Sequence, residues 1–147
     1  MRSLLIACFA IALSGCASVH MGDPARSAEI KAFKAKSDLA QVYLCRNGKT
    51  FGMAIRPDGE LDGKAIGTIA RNTYAYAEVA PGNHTIVVKT MEHDSKLSFN
   101  IAAGEQKFFQ AWISLGVLSG WGLIDEIDQN AGKACVTDSE LVEAAKV

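Results

Sequence analysis

Short apolar runs separated by turn-forming residues make up most of the chain from Leu39 onward. Runs of this length that are rich in aromatic and β-branched residues, and are bounded by Gly, Asn, Asp or Pro, are typical of β-strands. Ile86 and Val88 alternate with other residues in one such run, which predicts that both point into a core. The pattern predicts strands at residues 40–46, 51–55, 64–69, 74–79, 84–90, 96–101, 106–115 and 121–127.

Glycine-containing dipeptides mark the turns between these strands. Asn-Gly and Asp-Gly favour tight hairpins because both residues can adopt positive φ angles, and Pro-Gly fits a type II turn. A strand that buries only one face needs a second sheet to cover that face. The turn signals are Asn47-Gly48, Asp58-Gly59, Asp62-Gly63, Pro81-Gly82 and Ala103-Gly104.

We therefore expect an all-β domain over residues 39–142, folded as an antiparallel β-sandwich of about seven to eight short strands. Residues 128–134 predict a short helical turn, and residues 135–142 predict a closing segment that returns to the sheet beside the first strand. The last residues, 143–147, are expected to fray. The length suits a single small domain with one core.

The amino-terminal segment has the pattern of an export signal. A cationic start precedes an apolar run over residues 4–13, and this run is shorter than the roughly 20 residues that span a bilayer. The residues Leu13, Ser14, Gly15 and Cys16 resemble the lipobox of bacterial lipoproteins. This resemblance implies a signal peptide that is removed before Cys16, a diacylglyceryl group on the Cys16 thiol and a further acyl chain on its amine. An ordinary signal peptide and an uncleaved anchor are the alternatives.

Lipidation at Cys16 would make a lipid bilayer the partner of the mature chain, since each buried methylene contributes about 0.8 kcal/mol. In the lipoproteins that this segment resembles, an Asp after the lipidated cysteine favours the inner membrane, whereas this chain has Ala17. We therefore expect a location in the cell envelope, at the outer membrane and facing the periplasm. Residues 16–38 predict a flexible tether, with a short helix that begins at Asp23-Pro24 as the alternative.

Charge and cysteine content narrow the class of protein. The chain has 15 basic and 16 acidic side chains, and loss of the signal removes Arg2, which leaves 14 against 16 and a formal charge of −2. This balance gives no basic surface for nucleic acid. Cys45 and Cys135 remain in the folded part, and an oxidising compartment favours a disulfide between them. Two buried free thiols and a redox-active pair are the alternatives, although no Cys-x-x-Cys arrangement is present.

Sequence motifs for catalysis are absent. The chain contains no Gly-x-Ser-x-Gly, Ser-x-x-Lys, His-Glu-x-x-His or P-loop pattern. Glu92, His93 and Asp94 form a local group of possible metal ligands, but charged residues are common in hairpin loops and further ligands are missing. His84 lies beside a turn, so we expect its ring to bond the turn backbone. We expect no enzyme activity, no metal and no cofactor.

Segment 108–124 has no charged residue and many apolar and aromatic ones, which makes it the strongest candidate for an interaction surface. The first interpretation is a core strand that runs into a Gly-rich turn and a second strand. The alternative leaves Leu118 and Trp121 exposed at the turn, where they would bind an envelope protein or the lipid interface.

Two motifs carry a family resemblance: Asp-Gly-Lys at residues 62–64 and Pro-Gly-Asn-His at residues 81–84. Together with Ala-Gly-Glu at residues 103–105, they resemble PEGA-type surface domains over roughly residues 39–136. The same motifs resemble a family of small bacterial lipoproteins known only as a domain of unknown function. Asn83 departs from the PEGA pattern, which usually has an acidic residue there.

This resemblance implies a β-sandwich that binds or scaffolds a partner without catalysis. We therefore expect a membrane-anchored lipoprotein that acts as a noncatalytic module at the cell envelope, with an envelope protein as its partner. The alternative is a periplasmic enzyme or a thiol redox protein that uses Cys45 and Cys135.

Overall fold

The computed structural model describes residues 19–48, 51–52 and 54–144. The predictions for Leu13, Ser14, Gly15 and Cys16 therefore lie outside the described residues. Within the described part, the chain forms nine strands and two helices. In chain order these are α1 Pro24–Ile30, β1 Ala40–Arg46, β2 Asp58–Leu61, β3 Lys64–Thr68, β4 Thr73–Val79, β5 Gly82–Lys89, β6 Asp94–Ile101, β7 Gln106–Ser114, β8 Trp121–Ile127, α2 Gln129–Thr137 and β9 Glu140–Leu141.

The strands form two sheets that share one core, which confirms the all-β sandwich. The first sheet has the order β8-β7-β1-β4-β9, and the second has the order β3-β2-β5-β6. β1 pairs in parallel with β7, and β4 with β9, whereas the sequence predicts antiparallel pairing throughout. A parallel pair needs a long connection. The residues between β1 and β7 form β4 and all four strands of the second sheet. This connection is long enough to make the parallel pair possible.

β1 is buried along its whole length because both faces of the first sheet are covered. Val42 and Leu44 point between the two sheets and share the core there with Ile86 and Val88 of β5. These side chains are fully buried, so the inward orientation predicted for Ile86 and Val88 is confirmed. Tyr43 points to the opposite face and packs beneath the helices.

α1 covers part of the outer face of the first sheet. Asp23 caps this helix by accepting a hydrogen bond from the amide of Ala25 at 2.7 Å. Ile30, the last residue of α1, is buried against the sheet. Ser27 Oγ lies 2.9 Å from the Tyr74 hydroxyl. This part of the predicted tether is therefore a packed helix and not a flexible spacer, because its apolar side finds a sheet to cover.

α2 is longer than the helical turn predicted at residues 128–134, and it packs on β7 and β1. Asp128 caps it by accepting a hydrogen bond from the amide of Asn130 at 2.9 Å. Gly132 permits a close approach, since a Cβ there would collide with the Phe108 ring. The chain then returns to the first sheet as β9, beside β4 and not beside β1. Neither helix of the described part is long and apolar enough to cross a membrane.

The connection between β1 and β2 corrects two predictions. Residues 51–55 predict a strand, but the described part of this segment is a loop that contains turns. The expected turn at Asp58-Gly59 is instead the start of β2. Gly59 is buried, and a Cβ there would lie 2.9 Å from Leu44 Cδ2. The small residue therefore lets β2 approach the core closely, which explains why a turn-forming dipeptide is found inside a strand.

The amino-terminal residues extend the first sheet beyond β9. Val19 packs against the core between the sheets, and Met21 forms an antiparallel bridge with Val142. The amide of Glu143 donates a hydrogen bond to the carbonyl of His20 at 2.8 Å, so the predicted fraying does not begin at residue 143. The first and last described segments of the chain therefore lie side by side.

Candidate functional site

Loops from both sheets meet at one end of the sandwich, which we call the loop end. β1 and β7 are parallel, so both finish there. The amide of Gly122 donates to Thr90 Oγ1 at 3.4 Å, which brings the loop after β5 to the start of β8. The amide of Ile69 donates to the carbonyl of Pro57 at 2.8 Å. The loops of the loop end are the described parts of residues 47–57, together with residues 69–72, 90–93 and 115–120.

The carboxylate of Glu92 holds the loop between β7 and β8. Its Oε1 atom accepts hydrogen bonds from the amides of Val117 at 2.7 Å and Leu118 at 3.0 Å. Its Oε2 atom accepts hydrogen bonds from the amides of Ser119 at 2.8 Å and Gly120 at 3.0 Å. Successive amides that converge on one point form an anion-binding concavity. Here the anion is a side chain of the protein itself.

These hydrogen bonds favour the ionised form of Glu92. The bond from the Ser119 amide has the largest effect, and together with the other amides it lowers the pKa of Glu92 to about 2, although desolvation acts in the opposite direction. Glu92 is therefore charged at neutral and mildly acidic pH. Gly120 has a φ of 91°, a value that a residue with a side chain adopts only with strain. The loop is thus fixed both by the carboxylate and by its own backbone.

The loop end exposes a set of apolar side chains, which we call the apolar tip. The exposed fraction is 90% for Leu118 and 42% for Trp121. Single exposed apolar residues are common, but several at one place are characteristic of an interaction surface. β7 and β8 contribute to the core, as the first interpretation of segment 108–124 expects, and Leu118 and Trp121 are exposed at the turn, as the alternative expects. Binding of a partner by this turn stays a prediction. The apolar tip consists of Met91, Leu115, Val117, Leu118 and Trp121.

Arg46 fixes the neighbouring loops from inside the sandwich. It is the last residue of β1 and is buried. Its guanidinium donates to the carbonyls of Gly52 at 2.6 Å, Ile55 at 2.5 Å and Ile69 at 3.4 Å. Burial lowers the pKa of Arg46, and it forms no ion pair with any described residue. Arg46 therefore joins the loop after β1 to the turn after β3 through backbone oxygens alone.

Two exposed arginines, Arg56 and Arg71, lie in loops of the loop end. Arg56 follows Ile55, which packs closely on the β7–β8 loop, since a Cβ on Gly120 would lie 2.8 Å from Ile55 Cδ1. Arg71 lies in the turn after β3. Neither guanidinium forms an ion pair within the part of the chain that the structure covers. Among the described residues, the loop end therefore combines an apolar tip, fixed by the carboxylate of Glu92, with two guanidinium groups that form no ion pair.

The sequence pattern indicates Leu118 and Trp121 as candidate surface residues, but it does not indicate the residues that fix and flank them. The pattern indicates Glu92 only as a possible metal ligand and Arg46 only as part of a strand. The loop at residues 115–120 has no acidic or amide side chain to accept its own backbone amides, which indicates that an acceptor comes from elsewhere in the chain but does not identify Glu92. The sequence has no comparable signal for Arg46, whose partners are carbonyl groups.

Asp62 and His84 meet at the other end of the sandwich and join the two motifs of the family resemblance. His84 Nδ1 lies 2.6 Å from Asp62 Oδ2, and His84 Nε2 lies 2.8 Å from the carbonyl oxygen of Ala80. Asp62 Oδ1 accepts a hydrogen bond from the amide of Thr85 at 2.9 Å. The predicted bond from His84 to the turn backbone is confirmed, and the contact with Asp62 connects the β2–β3 hairpin to β5.

This pair leads to a prediction about pH. Both ring nitrogens of His84 face oxygen acceptors, so both must carry a proton in order to donate. The hydrogen bond with Asp62 has the largest effect and raises the pKa of His84 above its usual 6.5. The stability that the protonated ring contributes is therefore complete below the unfolded pKa, and it is lost as the pH rises through the higher folded pKa. We expect the Tm of the wild-type protein to fall over this range.

The variant His84→Gln is expected to lose about 1 kcal/mol of stability at acidic pH and to lose this part of the pH dependence. Thermal denaturation of both proteins between about pH 5 and about pH 9 measures the difference. Identical pH profiles for the variant and the wild type would contradict the role of His84.

Cys45 and Cys135 form a disulfide, as the sequence predicts. The bond joins β1 to α2 with a Cα–Cα distance of 6.2 Å, so it fixes the helix on the outer face of the first sheet. Cys45 is only 1% exposed, and thiol–disulfide exchange requires access to a sulfur atom. This burial favours a structural role over thiol redox chemistry.

The group of Glu92, His93 and Asp94 has other contacts. Glu92 binds backbone amides, and the ring centroid of His93 lies 5.3 Å from that of Trp121. Residues 19–48, 51–52 and 54–144 contain no cluster of three or more His, Cys, Asp or Glu side chains that could hold a metal ion. Two members of the group thus contribute to the structure of the loop end.

Comparison with known proteins gives the family of this chain. A family model described as "Protein of unknown function (DUF2846)" matches residues 36–121, which include the apolar tip and both Asp62 and His84. An uncharacterized protein of Haemophilus influenzae is 26% identical over 129 residues, which cover 87% of this chain and 76% of the relative. No solved structure matches the chain. Because the family model covers more than half of its length, the chain belongs to the DUF2846 family of proteins of unknown function.

Proposed function

We propose that this protein is a bacterial lipoprotein that acts as a noncatalytic binding or scaffolding module at the cell envelope. The observation that carries the proposal is the apolar tip, which is exposed and is held in one conformation by Glu92. A loop that is already ordered loses little conformational freedom when it binds a partner. Trp, Met and Arg are also the side chains that are enriched in protein interfaces.

The proposed anchor is a lipid on Cys16, which would hold the protein at the outer membrane, facing the periplasm. Val19 packs on the core, and only two residues separate it from Cys16, a reach of at most about 10 Å. A lipid on Cys16 would therefore bring the sandwich close to the bilayer, without a long spacer. The disulfide supports an oxidising compartment.

The contact between Asp62 and His84 supports the finer resemblance to PEGA-type domains. It joins the Asp-Gly-Lys turn to the Pro-Gly-Asn-His turn, which are the two motifs that carry that resemblance. A PEGA-like module at the cell envelope would act by binding and not by catalysis.

Two substitutions test the proposal, one for the anchor and one for the binding surface. Cys16→Ala is expected to abolish labelling by a palmitate analogue and to release the protein from the membrane fraction. Cys8→Ala is the matched control, because Cys8 lies in the apolar part of the signal. Label retained by Cys16→Ala would contradict the lipid anchor.

Leu118→Ser is expected to change the free energy of unfolding by no more than about 0.5 kcal/mol, because the side chain is 90% exposed. The same variant is expected to lose the complexes that the wild type forms in native electrophoresis of solubilised envelopes. Lys64→Ser, at the exposed first position of β3, should retain both properties. A large fall in the Tm of Leu118→Ser, or complexes that survive the substitution, would contradict a binding role for the apolar tip.

A further inference from the structure

We infer that the apolar tip docks into an apolar pocket of a second, different protein, and that acidic side chains border this pocket. The partner approaches from the side that faces away from the membrane that holds Cys16. This inference rests on the proposed function, and it adds the chemistry of the partner and its direction of approach.

The apolar tip and the proposed anchor lie at opposite edges of the first sheet. β8 follows the tip directly and forms one edge, whereas residues 19–22 extend the other edge beyond β9. Strand spacings of about 4.8 Å therefore separate the two edges by more than 20 Å.

They also lie at opposite ends of the strands. β4 begins at the loop end, where Thr73 pairs with Arg46, and β9 runs parallel to β4. Met21 pairs antiparallel with the residue after β9, so the chain leads from Met21 back to Val19 in the direction away from the loop end. The rise along the strands adds roughly 20 Å between Val19 and the apolar tip.

This separation argues against the anchoring bilayer as the occupant of the tip. The corners of the sheet are about 30 Å apart, and Cys16 lies within about 10 Å of Val19. A lipid on Cys16 would therefore hold the far corner of the sandwich, and the tip reaches the same bilayer only if the sheet lies along the membrane, which the vesicle experiment below tests.

The chemistry of the loop end defines what the partner must offer. The sequence has no charged residue between Lys107 and Asp125, so burial of the β7–β8 loop desolvates no charge of its own. The carboxylate of Glu92 keeps its hydrogen bonds to backbone amides. Arg56 and Arg71 are exposed, and neither has an ion-pair partner among the residues described. Guanidinium groups pair best with carboxylates, so an apolar pocket with an acidic rim is the complementary surface.

Photo-cross-linking in intact cells tests the partner. The full-length protein carries a benzophenone amino acid at Leu118, at Val117 or, as the control near the anchor, at His20. We expect Leu118 and Val117 to give one protein adduct of the same size, which His20 does not give. Arg56→Glu combined with Arg71→Glu is expected to reduce the yield of this adduct about tenfold, an effect of about 1.4 kcal/mol. Lys64→Glu, the same charge reversal at the other end of the sandwich, should leave the yield unchanged.

Vesicles test the bilayer as the competing occupant. The lipidated protein is reconstituted in phosphatidylethanolamine and phosphatidylglycerol vesicles with brominated acyl chains. The variant Trp112→Phe leaves Trp121 as the single tryptophan of the chain. We expect the bromine atoms to leave the fluorescence of Trp121 unquenched.

Several outcomes would overturn the inference: quenching of Trp121 by bromine, an adduct between two copies of this chain, an equal adduct from His20, or an adduct yield that does not respond to reversal of the two arginines. Failure of palmitate labelling at Cys16 would instead overturn the proposed function, so the two failures can be told apart.

Discussion

The double substitution Cys45→Ala and Cys135→Ala is expected to lower the free energy of unfolding by about 4 kcal/mol. The disulfide joins residues that are 90 positions apart in the sequence, and a cross-link over so long a loop removes much of the conformational freedom of the unfolded chain. It also connects α2 to the central strand of the first sheet. Urea denaturation, followed by tryptophan fluorescence, measures the change.

Reduction provides the control for this prediction. Dithiothreitol should shift the urea midpoint of the wild type to that of the double variant, and it should leave the double variant unchanged. The slope m should increase when the bond is absent, because the unfolded chain without the cross-link exposes more surface. A double variant as stable as the oxidised wild type would show that the disulfide contributes nothing.

Gly132→Ala is expected to destabilise the protein by about 2 kcal/mol, although alanine favours helix formation by about 1 kcal/mol relative to glycine. A Cβ at residue 132 would collide with the ring of Phe108. That ring is buried and stacks on Tyr43 with a centroid distance of 4.6 Å, so it has no space to move. The steric cost therefore exceeds the gain in helix propensity. Thermal denaturation gives the sign of the effect.

A neighbouring position separates packing from helix propensity. Ala131 is exposed on the same helix, and Ala131→Gly is expected to lose about 1 kcal/mol through propensity alone. In a double-mutant cycle, Phe108→Leu should reduce the penalty of Gly132→Ala, because the smaller side chain leaves room for the added methyl group. A rise in Tm for Gly132→Ala alone would contradict the close approach of α2 to β7.

The strands and the main core were predictable because their signal is local. Ile86 and Val88 alternate with residues of the opposite face, and this alternation predicts burial whichever strand lies beside them. The Asp62-Gly63 turn was predictable because Asp-Gly favours a tight hairpin. The disulfide was predictable because two cysteines remain in a folded part that is expected in an oxidising compartment.

The features that the sequence did not reveal depend on contacts between distant residues. The parallel pairing of β1 with β7 leaves no mark in either strand. α1 has only seven residues, too few to form a stable helix without the sheet that it covers, so its sequence resembles a spacer. The segment at residues 51–55 has the composition of a strand. The guanidinium of Arg46, however, donates hydrogen bonds to the carbonyls of Gly52 and Ile55, so these carbonyls do not need a neighbouring strand.

The candidate site was predictable in its apolar part only. Leu118 and Trp121 are conspicuous within a long uncharged segment, and a turn between two strands is a natural place for exposure. The rigidity of that turn comes from Glu92, whose partners are amides 25 to 28 positions later in the chain. Backbone amides are present at nearly every position, so the sequence does not indicate which of them a carboxylate will bind.

Glu92 and Arg46 each bond to backbone groups and not to an opposite charge, and this has a consequence in electrolyte solutions. Dissolved ions screen the attraction between exposed charged side chains over about 8 Å at physiological ionic strength. Hydrogen bonds to amides and carbonyls at contact distance are much less affected. The shape of the loops should therefore persist in concentrated salt, while any attraction that Arg56 and Arg71 exert on a partner weakens.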